Sequence, residues 1–105
     1  MITLAARCKA AAPPEMAADG WEWNDQSEGR AMAKQSQDRS RTLSVVTYPG
    51  GMFGACGWLG LSPVFSVEAE GPDLGRALAY VYGELRREMV ARGMVEPGAL
   101  DGAGE

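Results

Sequence analysis

The clearest periodicity in the chain lies near its C-terminal end. Leu74, Leu78, Val81, Leu85 and Met89 are spaced by three and four residues, which gathers them on one stripe of a helix. Asp73 follows Pro72 and precedes the stripe, so it is the natural N-cap, and Gly93 closes the pattern. Upstream the period falls to two. Thr42–Tyr48 (TLSVVTY) is β-branched and aromatic, which predicts a strand. Pro49-Gly50-Gly51 is turn chemistry, and MFGACGWLGL from Met52 returns as the hairpin partner. SPVFSVEAE predicts one more strand, with Pro63 at its beginning.

The N-terminal third is less regular. Ile2, Leu4, Ala6 and Cys8 alternate with Thr3, Ala5, Arg7 and Lys9, which suits a strand, although the alanines favour helix. A strand giving way to a helical or irregular turn is the expectation here. Pro13-Pro14 opens a short helix that Gly20 closes. In WEWND, Trp21 and Trp23 share one face of an extended segment and Glu22 takes the other. RAMAKQ is the returning strand, with Ala31 and Ala33 on one face, and SQDRSR (36–41) is polar enough to be an exposed loop. The prediction is an α+β domain over 1–93: an antiparallel sheet of about 3–5 strands packed by one long C-terminal helix, followed by a flexible tail over 94–105.

Glycines at Gly51, Gly54, Gly57 and Gly60 raise the question of a phosphate loop. A Walker-type loop needs a lysine and a hydroxyl to meet phosphate and Mg²⁺, and no lysine follows Lys34. The dinucleotide fingerprint needs Gly-x-Gly between strand and helix, which is missing too. As a strand, the run places Phe53, Ala55, Gly57, Leu59 and Leu61 on one face and Met52, Gly54, Cys56, Trp58 and Gly60 on the other. Both faces are apolar, so the strand is covered twice or one side waits for a partner.

Composition narrows the chemistry. The 105 residues are 46% hydrophobic, enough for one small core. Net charge is −4, which disfavours general nucleic-acid binding and suits contact with protein surfaces, basic ones included. The charge is dipolar. Residues 28–61 hold four basic and two acidic side chains, whereas 62–105 hold four basic and eight acidic ones. With no histidine, a Ser–His triad is impossible. Cys8 and Cys56 form no Cys-x-x-Cys pair and read as buried, reduced thiols, a Cys8–Cys56 bridge remaining open. Glu68 and Glu70 share a face but have no nearby partner for acid–base or metal chemistry, and Asp73 is used as a cap. No catalytic, cofactor or metal constellation emerges. A signal-peptide pattern and a bilayer-length apolar run are both missing, which predicts a cytoplasmic protein.

Three surfaces are candidates for contact. Glu68, Glu70, Glu84 and Glu88 form an acidic set for a protein partner. Gly75, Ala79 and Gly83 form a small-residue strip on the helix that packs on the sheet or against a second helix, of a twin subunit or another protein, with Arg86 in the strip as its anchor, leaving a homodimer open. Arg30, Lys34, Arg39 and Arg41 could meet nucleic-acid phosphates. The three tryptophans are assigned to the core by default.

The succession from Trp21-x-Trp23, through the Thr42–Tyr48 and Met52–Leu59 strands, to Asp73-Leu74 and a helix resembles small accessory proteins of bacteriophages and mobile elements. Some of these inhibit host defence, anti-CRISPR proteins among them. The resemblance rests on pattern and carries over no functional residue. It implies a short, acidic, non-enzymatic inhibitor that masks a surface, and the acidic side chains of this chain then suit a site on a basic, nucleic-acid-handling complex. The alternative is a small nucleic-acid-binding protein using the sheet and the basic 30–41 segment.

Overall fold

The chain's strand segments are consecutive and joined by short turns, so each pairs with its sequence neighbour. In the computed structural model, which describes residues 2–27, 29–35 and 38–94, they form one antiparallel sheet in the order β1-β2-β3-β4-β5. The strands are β1 (Trp21–Gln26), β2 (Arg30–Gln35), β3 (Asp38–Tyr48), β4 (Met52–Leu59) and β5 (Phe65–Gly71). Helices α1 (Leu4–Ala11) and α2 (Pro14–Ala18) precede the sheet and α3 (Leu74–Ala91) follows it. The predicted α+β architecture is therefore present, at five strands. Gly50 and Gly51 both take positive φ in the turn that sets Tyr48 opposite Met52.

The core lies on one face of the sheet. Alternation sends Ala31, Ala33, Leu43, Val45, Phe53, Ala55 and Leu59 inward, where the whole predicted stripe of α3 is buried against them. Asp73 caps α3 as expected, its carboxylate accepting from the Arg76 N–H at 3.1 Å. Gly93, at φ 74, ends the helix, and the Met94 N–H donates to the Met89 carbonyl. Met94 is thus tied to the helix end; the rest of the predicted tail lies outside the described residues.

Two expectations are corrected. The N-terminal segment is a helix, not a strand. Thr3 caps it by accepting from the Ala6 N–H, and Ala5 and Cys8, one turn apart, face the core. Alanine propensity and this cap outweigh the short alternation. The Ala5 N–H donates to Asp25 at 2.8 Å and Arg7 sits 5.1 Å from the Phe53 ring centre, so α1 is docked across the sheet. Second, the predicted loop at 36–41 is in part strand, because β3 already begins at Asp38.

α1 lies over β1 and β2, α3 over β4 and β5, and the two helices touch. Together they close the inner face of the sheet. The strip Gly75–Ala79–Gly83 does not pack on the sheet: Ala79 and Gly83 are exposed, and Gly75 lies against the end of α1.

Candidate interaction surface

The four glycines three residues apart do three different things. Gly51 serves the turn. Gly57 faces inward, where an added Cβ would lie 2.9 Å from Val81 Cγ1, so it sets how closely α3 approaches β4. Gly54 and Gly60 face outward beneath aromatic rings. A Cβ on Gly54 would meet Tyr48 Cε2 at 2.9 Å, and one on Gly60 would meet Trp58 Cζ2 at 2.8 Å. Glycine lets both rings lie down on the outer face of the sheet.

Among the described residues, no helix lies on that outer face. Tyr48, Met52 and Trp58 are 46%, 36% and 42% exposed on it, with Met32, Val46 and Cys56 half-buried between them. Trp21, by contrast, is buried and meets Tyr82 edge to face at 6.1 Å, and Trp23 is half-buried. The core assignment thus fails for Trp58, whose neighbours across the ladder are Thr42 and Ser66. Sequence reasoning also passed over Tyr48 and Met32 as surface residues.

Charge is distributed across this face by strand. Glu22 projects from β1 beside Lys34, Arg30 and Lys34 project from β2, and Glu68 and Glu70 from β5, and all five are exposed. The backbone register sets them in rows. One runs Gln26, Arg30, Val46, Gly54, Glu70, and the next runs Asn24, Met32, Ser44, Cys56, Glu68. A ridge of Ser44 and Val46 divides two shallow grooves. One, of about 120 Å³, reaches Cys56, Glu68 and Glu70; the other, of about 230 Å³, reaches Gln26, Arg30 and Met32. Burial, then the Glu68 carboxylate, raises the Cys56 thiol above its ordinary pKa, which keeps it protonated and weakly nucleophilic.

The remaining predicted site residues lie elsewhere. Glu84, Glu88 and Arg86 belong to α3, on the opposite side of the sheet. Glu84 pairs with Arg87 at 3.7 Å, and Glu88 accepts from Arg92 Nε at 2.7 Å. Arg92 also donates to the Leu61 and Pro63 carbonyls, fastening the β4–β5 connection to the helix end. Arg86 turns partly inward, its Nε and Nη2 buried beside a polar corner that includes Asp19, Gln35 and Tyr82. The acidic set is therefore split between two surfaces. Arg41 is corrected as a phosphate contact: it is buried on the core face, with Nη1 donating to Met89 Sδ at 3.4 Å. The Arg39 side chain lies outside the described residues.

Another hollow, of about 450 Å³, lies between the α1–α2 link and β1, floored by Met16, Trp21 and Trp23 with Lys9 and Glu22 among its lining. Among the described residues, no three His, Cys, Asp or Glu side chains gather as a metal site. Cys8 and Cys56 are both free, as the reading of reduced thiols expected, with Cys8 buried and Cys56 half-buried. No helix of the described residues is long and apolar enough to cross a membrane. Comparison with family models, with curated proteins and with solved structures finds no match to this chain.

Proposed function

We propose that this chain is a small non-catalytic protein-binding module that meets its partner with the open face of its sheet. One observation carries the reading: Tyr48, Met52 and Trp58 lie exposed there, while helices close the opposite face. Exposed aromatic and methionine side chains bordered by charge are the composition of protein contact surfaces. Glu68 and Glu70 on the same face repel phosphates, and burial of Arg41 removes a cation from the basic segment, so protein is favoured over nucleic acid.

The pattern resemblance to phage and mobile-element accessory proteins extends the reading to an inhibitor of a host defence complex. Such an inhibitor acts in the host cytoplasm by masking a surface, with Glu68 and Glu70 set against basic residues of its target. The test is quantitative capture by tagged wild type and by Trp58→Glu from a bacterial lysate that also contains untagged chain. Any protein, a second copy included, held by wild type and lost by the variant supports the reading. Equal capture by both, or none by wild type, overturns it.

A further inference from the structure

We propose that the protein seated on the open face is a second copy of this chain, packed sheet to sheet about a twofold axis that runs along β3. The proposal rests on the reading of the open face as a protein-contact surface and names its occupant. The argument is one of symmetry. A twofold axis along the central strand carries β1 over β5 of the second copy and β2 over its β4, and it leaves each row of the ladder opposite itself.

The rows then match. Gln26 and Asn24, whose amides can donate, come to lie opposite Glu70 and Glu68 of the second copy. Arg30 stands over the second copy's Gly54, one strand from its Glu70. Lys34 stands opposite the exposed Trp58 of the second copy, which pairs a cation with an aromatic ring. Met32 meets Cys56, while Thr42, Ser44 and Val46 on the axis meet themselves. The two grooves also exchange, so the one reaching Glu68 and Glu70 faces the one reaching Arg30 and Met32. A twofold axis across the strands fails this test. It lays β5 on β5 and β2 on β2, placing like charges opposite each other.

The area suffices. Five strands about 4.8 Å apart, paired over about six residues, give roughly 500 Å² per copy and ~1,000 Å² in total, the size of a small, reversible interface. Aligned packing of two sheets about 10 Å apart accommodates side chains of this size. The helices stay on the outer layers, which leaves Glu84 and Glu88 accessible in the pair.

Sedimentation equilibrium of the full chain up to ~100 µM is the test, with circular dichroism as the check on folding. Wild type is expected to approach twice the monomer mass. Arg30→Glu/Lys34→Glu makes the charged borders acidic and Glu68→Lys/Glu70→Lys makes them largely basic, so each variant alone is expected to self-associate at least ~10-fold more weakly. An equimolar mixture of the two restores the dimer mass, because each acidic border then meets a basic one. A monomeric wild type, dimers that survive both double variants, or a mixture that stays monomeric overturns the proposal. A short bismaleimide reads the axis independently. In a Cys56→Ser background, Ser44→Cys is expected to cross-link copy to copy and Glu70→Cys is not; the reverse result rejects the axis. A monomeric wild type that still captures another protein through Trp58 overturns the second copy and leaves the open-face reading standing. Loss of both overturns both.

Discussion

Replacing Gly57 by alanine tests how α3 is seated on the sheet. The new Cβ would lie 2.9 Å from Val81 Cγ1, 3.2 Å from Val67 Cγ1 and 3.5 Å from Leu85 Cδ2. Val81 and Leu85 are fully buried, so neither has room to retreat without moving the helix. Overpacking of this kind costs about 1–3 kcal/mol, offset by the roughly 0.5–1 kcal/mol gained when glycine leaves a strand interior. Taken at the middle of both ranges, a net loss of about 1 kcal/mol is expected. Gly54→Ala is the matched control. Its Cβ meets the Tyr48 ring, which is exposed and can swing outward, so its net effect stays within about 0.5 kcal/mol. Urea unfolding followed by tryptophan fluorescence reads both as midpoint shifts at constant slope. Val81→Ala in the Gly57→Ala background should cost less than Val81→Ala alone, since it removes the contact. A Gly57→Ala protein as stable as wild type, or less affected than Gly54→Ala, refutes the close approach of α3 to β4.

Three further outcomes follow from the same packing. Gly83 is exposed in the interior of α3 with nothing within 4 Å of an added Cβ, so Gly83→Ala should stabilise by about 0.5–1 kcal/mol, read by the same unfolding curve. Asp73→Ala removes the N-cap and should destabilise by about 1 kcal/mol, with Asp73→Asn largely restoring the loss. Burial raises the Cys8 thiol from 9.0 to about 12. Its contribution to stability is complete below pH 9 and is lost as pH rises toward 12, because the unfolded chain releases the proton first. Unfolding midpoints from pH 8 upward should fall in wild type and fall less steeply in Cys8→Ala. Burial, then Asp19, also raises Tyr82, so part of the alkaline loss remains in that variant.

Much of the fold was legible because its signals are local. The α3 stripe, its aspartate cap and the Pro-Gly-Gly hairpin each combine a period with a punctuating residue. The α1 helix was not, since Ile2 to Lys9 satisfies a strand alternation while its alanines satisfy a helix, and the deciding Thr3 cap is a single hydrogen bond. The start of β3 was hidden by its polarity. Ser40 and Thr42 line the outer side, and inward Arg41 looks like a surface cation until the core residue Met89 is beside it. The two apolar faces of β4 were visible, but not which one the helices cover. A signal did exist. Leu43 and Val45 are apolar while Thr42 and Ser44 are polar, and the three-residue hairpin loop sets Thr42 opposite Trp58 and Ser44 opposite Cys56. That pairing would have put Trp58 on the open side. The acidic residues were legible as charges on a strand and a helix, but only the register shows that Glu68 and Glu70 face away from the layer that carries Glu84 and Glu88.

The protein-contact role of the open face is tested most directly by the reactivity of Cys56. This thiol lies half-buried on that face, whereas Cys8 is fully buried with its thiol pushed up to about 12, so slow alkylation at mildly alkaline pH reports Cys56 through its greater access. With the captured protein, a second copy included, at ~10 times its Kd, roughly one face in ten is free, and the alkylation rate should fall about tenfold. A rate unchanged by binding would contradict the account, because the contact would then lie elsewhere on the molecule.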